Sequence, residues 1–348
     1  MTARERLRAE AAKRILLFDG AFGTAIQARR LSEADFAGDL GLAASQHGNN
    51  DILALTRPDV IAGITRDYLE AGSDVVSTNT FSSNRISQAD YGAEGLVPQI
   101  NRAAAGIARE LADEFSAADG RPRFVAGAIG PTNKTLSLSP KVEDPGYREI
   151  AFDFLADVYR EQAEALVAGG ADFILIETIF DTLNAKAAIF AVRALERELS
   201  REIPLMLSMT LTDLSGRNLS GHTVEAFWYA VRHAHPLAVG LNCSFGAEQL
   251  RPHVQLLSRI ADALLLAYPN AGLPNELGDY DEQPETTAGL LREWAEQGNA
   301  NILGGCCGST AEHISAIANA VADLPPRALP EPPRETRFAG LEPFTMPA

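Results

Sequence analysis

The sequence predicts an α/β fold, a single (β/α)8 TIM barrel with a metal site at the C-terminal rim of its strands. Three observations carry this. Eight short apolar runs alternate with helical segments over about 310 residues, a span that suits such a barrel. The runs are continuously apolar rather than alternating, as expected of parallel strands buried on both faces. All three cysteines fall where such a run ends. A doubly wound open sheet is the alternative, because periodicity alone does not separate the two.

In chain order the runs are Ile15–Phe18, Val75–Thr78, Phe124–Ala128, Phe173–Ile176, Leu205–Met209, Ala238–Leu241, Leu264–Ala267 and Ile302–Leu303. Between them lie segments with helical period and Ala/Leu/Glu/Arg composition: Pro58–Ala71, Tyr147–Ala168, Thr182–Glu198, Thr223–Ala234, Ala247–Leu257, Pro284–Gln297 and Ala311–Ala322. Start signals precede several of them: Asp144 with Pro145, Thr223 with Glu225, and Ser309 with Thr310 before Glu312. Residues 1–323 are thus assigned to the barrel. From 324 to 348 the composition changes, with five prolines in Leu324–Pro333 and an apolar stretch without period in Arg337–Ala348. That segment reads as a Pro-rich tail or linker.

Active sites on this fold lie where the strands end. The residues at those ends are Asp19, Asn79, Pro131, Glu177, Thr210, Asn242 with Cys243, Asn270, and Cys306 with Cys307. Asn79, Glu177, Cys243 and Cys306 leave even-numbered strands, so they are expected to share one inward layer.

Composition narrows the function. The chain has 348 residues, 46% of them hydrophobic, and a formal net charge of -16. Such acidity argues against nucleic acid as a partner. No apolar run is long enough for a membrane span, and the charged N-terminus lacks a signal-peptide pattern. A cytoplasmic location with reduced thiols is the expectation.

Three thiolates from two strand exits would make a soft anionic pocket suited to Zn2+. With only three cysteines, the fourth position stays open unless a histidine fills it, and open sites are catalytic ones. The alternative is three inert core cysteines. Among the histidines, His233 and His235 precede the sixth run and belong to the opposite rim, while His253 and His313 fall on helices and are expected to be solvated. His47 lies in a polar loop. His222, in a loop at the correct rim, is the one candidate fourth ligand or acid/base. Asp19, followed by Gly20, Ala21, Phe22 and Gly23, offers a carboxylate for an amine and backbone amides for a small anion. A plain tight turn would look the same. Glu177 emerges from a buried apolar strand and needs a cation, a hydrogen-bond network or a ligand ammonium. Together these residues describe a pocket for a thiol-bearing amino acid.

At this point a resemblance enters. Gly304-Gly305-Cys306-Cys307-Gly308, with Asn242-Cys243 and Asp19-Gly20-x-x-Gly23-Thr24, resembles the homocysteine S-methyltransferase family. Thr78-Asn79-Thr80-Phe81, Gly130-Pro131-Thr132-Asn133-Lys134-Thr135, Glu177-Thr178-Ile179-Phe180-Asp181-Thr182 and Pro269-Asn270-Ala271-Gly272-Leu273-Pro274 are similar to the homocysteine-binding domain of cobalamin-dependent methionine synthases. The resemblance spans roughly Ile15 to Val321 and implies a (β/α)8 barrel. It implies Zn2+ held by Cys243, Cys306 and Cys307, with the homocysteine sulfur as fourth ligand and nucleophile, and His222 therefore excluded. Asp19 and Glu177 would hold the amino group, and the amides of Ala21, Phe22 and Gly23 the carboxylate.

The methyl donor is what the resemblance leaves open. Phe338–Pro343 looks like the linker that leads into a folate domain, and the start at Met1 and end at Ala348 read as a complete product. A stand-alone homocysteine-activating subunit of a split methionine synthase is therefore expected, with methylcobalamin supplied by a separate cobalamin-binding subunit beside a folate-binding one. A self-sufficient methyltransferase using betaine or a sulfonium donor is the alternative. A non-catalytic zinc- or thiol-binding module is the alternative of a different class.

Overall fold

In the computed structural model, which describes residues 1–332 and 335–346, the eight apolar runs become eight parallel strands. They are β1 (Leu16–Leu17), β2 (Val75–Ser77), β3 (Phe124–Ile129), β4 (Phe173–Ile179), β5 (Leu205–Met209), β6 (Ala238–Gly246), β7 (Leu264–Asn270) and β8 (Ile302–Leu303). Their order is β1-β8-β7-β6-β5-β4-β3-β2. A parallel bridge between Phe18 and Val75 joins the two ends, so the sheet closes into a barrel and the open-sheet alternative falls.

Side chains rather than solvent fill the barrel. Leu16, Phe124, Phe173, Met206, Leu264 and Ile302 are buried in one group with Leu7 and Ala11. The last two come from α1 (Ala3–Ala11), which starts in a capping box between Thr2 and Glu5 and stoppers the N-terminal mouth. The larger core lies between the strands and the outer helices. Those are α2 (Phe22–Ala28), α3 (Pro58–Glu70), α4 (Val97–Asp119), α5 (Phe152–Ala168), α6 (Thr182–Leu199), α7 (Val224–Val231), α8 (Ala247–Ile260), α9 (Pro284–Glu296) and α10 (Ala311–Val321).

Two details depart from the sequence reading. The helix expected from Tyr147 starts only at Phe152, because the Arg148 guanidinium donates to the carbonyls of Leu136, Ser137, Pro145 and Tyr147 and keeps that turn in a loop. His313, expected in solvent, is buried. Its Nδ1 accepts from the Thr310 amide at 3.2 Å, so Nε2 carries the proton and donates to the Glu282 carbonyl at 2.9 Å.

The Pro-rich segment is anchored at the N-terminal end of the barrel. Arg327 is buried, and its guanidinium donates to the carbonyls of Ser258, Ala261 and Ala263 and to Asn301. Beyond it, β9 (Arg337–Ala339) and β10 (Pro343–Thr345) pair antiparallel beside α7. The Thr223 amide donates to the Leu341 carbonyl at 3.2 Å, and Arg217 pairs with Glu342. Of the expected tail, residues 333, 334, 347 and 348 lie outside the described residues.

Candidate active site

Simple alternation along β6 sends Ala238, Gly240 and Asn242 inward and Cys243 outward. The register with β7 breaks between Asn242 and Gly246, and Cys243 and Ser244 take φ of 59° and 62°. This bulge re-aims Cys243 toward the cysteines that follow β8. The shared inward layer expected from strand parity is therefore not how Cys243 arrives. A second bulge interrupts β4 between Ile176 and Ile179, with Thr178 at φ 53°. For a β-branched residue that conformation costs about 1–3 kcal/mol, and surrounding contacts must hold it.

The sulfur atoms of Cys243, Cys306 and Cys307 all lie within 4.8 Å of one another. The Cys306 amide donates to the Pro269 carbonyl at 2.7 Å, and the Cys307 amide to Asn270 Oδ1 at 3.1 Å. Gly305 has to be glycine here, since a Cβ would sit 2.2 Å from Ser309 Oγ. Ionisation favours Cys307, whose thiol is held low because Cys243 and Cys306 donate to it, with Tyr280 adding to this; Cys306 is pushed up by the same sharing. Three soft donors in one cluster, joined by no histidine or carboxylate among the described residues, fit a metal with an open position. His222 takes no part. It is half-buried and its Nδ1 meets Ser220 Oγ at 3.1 Å.

Two carboxylates without a cation lie deeper. Asp19 is fully buried; its Oδ2 accepts from the Ser77 amide at 2.6 Å and Ser77 Oγ at 2.9 Å, while Oδ1 has no partner. Burial pushes its carboxyl up to about 7. Glu177 accepts from the Tyr268 hydroxyl at 3.0 Å, and burial raises it to about 7 as well, with the Cys307 charge adding to the effect. Beside them begins α2, whose cap residue Ala21 offers no side chain to the first amides.

Asp19, Ala21, Phe22, Gly23, Glu177 and the three cysteines all line one cavity of about 670 Å³. Asp51, Asn79, Phe81, Asp90 and Tyr91 line the same cavity. Asp51 is likewise pushed up to about 7 by burial.

The sequence profile of the homocysteine S-methyltransferase family matches residues 16–321. The chain belongs to that family. It is a methyltransferase acting on homocysteine. Three structures of the homocysteine methyltransferase MmuM from Escherichia coli are similar to it. The oxidized form is 21% identical with a TM-score of 0.72, over 92% of this chain and 99% of that one. The metallated form is 22% identical at 0.71, over 91% and 99%, and the apo form 21% identical at 0.65, over 92% and 100%. At such identities they establish the common barrel.

Within this homocysteine S-methyltransferase, sequence reasoning passed over the supporting residues. Ser77, Tyr268 and Tyr68 hold the site without standing in its motifs. The Tyr68 hydroxyl bridges the carbonyls of Ala21 (2.9 Å) and Ser309 (3.3 Å), joining the amide loop to the cysteine loop. A signal for it exists in Gly20, where a Cβ would lie 2.6 Å from the Tyr68 ring. No helix among the described residues is long and apolar enough to cross a membrane.

Proposed function

We propose that this homocysteine S-methyltransferase is a zinc-dependent, stand-alone homocysteine-activating unit that takes its methyl group from methylcobalamin carried by a separate subunit. The observation that carries the reading is an open-sided cluster of three thiols beside two cation-free carboxylates in one cavity. Cys243, Cys306 and Cys307 are the residues that would hold Zn2+, which supplies there the positive charge that keeps a bound thiol ionised at neutral pH.

The chain's own groups place the substrate. Asp19 Oδ1 and the Glu177 carboxylate receive the ammonium, which gives the two buried carboxylates the cation they lack. The amides of Ala21, Phe22 and Gly23 receive the substrate carboxylate. With both ends held, the homocysteine sulfur would release its proton to solvent, face the open cavity and attack the donor's methyl carbon, the S–C bond of methionine forming as the donor–methyl bond breaks and the donor keeps that electron pair. The donor side supports a macromolecular carrier, because exposed apolar side chains stand on the loops around the mouth: Phe81, Leu214, Leu219, Leu273 and Leu277. Residues 1–323 then form the catalytic barrel. The tail brings Leu341 to the same rim, where it would add to the docking face for the cobalamin- and folate-binding partners.

A second reading has its own observation. Asp51 and Asp90 with Phe81 and Tyr91 line the cavity wall and would suit a cationic donor such as betaine or a sulfonium. Methionine formation by the zinc-loaded chain separates the two. Turnover with homocysteine and free methylcobalamin, and none with betaine or a methylsulfonium, is expected; turnover with betaine alone overturns the cobalamin reading.

A further inference from the structure

Asn242 is 1% exposed and uses its whole hydrogen-bonding capacity. Its Oδ1 accepts from the Thr178 amide at 3.2 Å and from Ser208 Oγ at 2.7 Å. Its Nδ2 donates to Thr178 Oγ1 at 2.9 Å and faces Cys306 Sγ at 3.9 Å. A backbone N–H can only donate, so the Thr178 amide fixes which end of Asn242 is oxygen and leaves its remaining N–H on the Cys306 sulfur. One side chain thus grips the strained turn that follows Glu177 and touches one of the three thiols. Strand pairing holds the chain on either side, Ile176 to Leu207 and Ile179 to Met209, and Asn242 is the side chain that bonds both the amide and the hydroxyl of Thr178.

We infer that Asn242 is a positioning residue that sets the carboxylate end and the sulfur end of the homocysteine site at their working separation. The inference rests on the roles proposed above for Glu177 and Cys306. Relaxation of Thr178 toward extended φ would rotate the peptide that leads out of Glu177 and carry its carboxylate away from Tyr268 and Asp19. Loss of the Nδ2–H would leave the Cys306 thiolate one donor short, which raises the energy of its lone pairs. Position 178 supplies the internal control. Glycine adopts φ near 53° without strain, so a glycine there needs no clamp.

The test uses the full chain loaded with Co2+, whose thiolate-to-cobalt absorption reports the sulfur ligands, titrated with homocysteine. No methyl donor is involved. Asn242→Ala is expected to weaken homocysteine binding by about 10- to 100-fold, the range seen when a supporting contact of a metal site is lost. It is also expected to shift the absorption to lower energy while one Co2+ per chain is retained. Thr178→Gly in the Asn242→Ala background should recover most of the homocysteine affinity and leave the absorption shift in place, because only the clamp function is replaced. Asn242→Asp keeps acceptors for the Thr178 amide and hydroxyl but has no N–H for Cys306, so it should show a change in the absorption. Unchanged affinity and unchanged absorption in a Co2+-loaded Asn242→Ala protein would overturn the inference, as would an affinity loss that Thr178→Gly does not relieve. A wild-type chain that takes up no Co2+ would instead overturn the metal-site reading beneath it.

Discussion

The two ends of this barrel treat buried charge in opposite ways. At the N-terminal end, Asp74 is buried and answered in full: Arg14 grips it through both oxygens at 2.6 and 2.7 Å, Arg121 adds a contact at 2.9 Å, and the Leu17 amide donates at 2.9 Å. Arg327 is satisfied by carbonyls in the same region. At the C-terminal end, Asp19 and Asp51 are as deeply buried and Glu177 partly so, but they meet only hydroxyls, amides and Gln88. Asp74 is compensated within the chain; the reading proposed above takes the uncompensated carboxylates beside the cavity as groups held for the ligand's ammonium.

Substitutions at each end should separate along this line. The largest effect is expected from Cys306→Ala or Cys307→Ala. Methionine formation should fall by roughly 10²–10³-fold or more, the scale set by losing an electrostatic stabiliser of the reacting atom, and metal content should fall with it. Glu177→Gln and Asp19→Asn should each weaken homocysteine binding by about 10- to 100-fold in a titration of the metal-loaded protein. At pH 8 these two variants should nevertheless melt higher than the wild type, by about 1–3 kcal/mol, because an uncompensated buried charge has gone. Asp74→Ala is the mirror image. It should cost about 2–3 kcal/mol in chemical denaturation by orphaning the Leu17 amide and two arginines, with homocysteine affinity unchanged.

The pH dependence follows from the same contrast. Asp19 and Glu177 have folded values raised to about 7, so the folded state binds more protons than the unfolded chain between about pH 4 and 7. Their contribution to stability is therefore present at low pH and is lost as pH rises toward 7. Homocysteine binding should run the other way, strengthening through pH 7 as the carboxylates become able to pair with the ammonium. Denaturation midpoints and dissociation constants between pH 5 and 8 check both signs. The smallest effect belongs to the rim. Leu277→Asp, at an 87% exposed position, should change stability by no more than about 0.5 kcal/mol and leave turnover with free methylcobalamin intact, while slowing turnover with a protein-borne donor.

The barrel was legible in the sequence because its strands are continuous apolar runs, and the three cysteines were legible because they stand at the ends of those runs. What escaped is where local pattern yields to contacts from afar. Parity placed Cys243 in a regular layer, yet a bulge with two non-glycine residues at positive φ delivers it. Asp144 and Pro145 looked like a helix start, but Arg148 has enough carbonyl acceptors nearby to keep its turn in a loop. His313 on an exposed-looking helix is buried because Thr310 and Glu282 meet both of its nitrogens. Asn242 stood beside a cysteine in a recognisable motif, but its grip on Thr178 spans 64 residues and leaves no local trace.

The most direct test of the contrast between the two ends is to remove the ligand's ammonium and keep its thiol. Binding of homocysteine and of its desamino analogue to the zinc-loaded chain can be compared by calorimetry from pH 6 to 8. A loss of about 100-fold or more in affinity for the analogue, with a shallower rise of affinity through pH 7 because only the thiol proton is then released on binding, is the predicted result. Equal affinity for the two ligands, with the same pH profile, would contradict the claim that Asp19 and Glu177 are buried without a cation in order to receive one from the substrate.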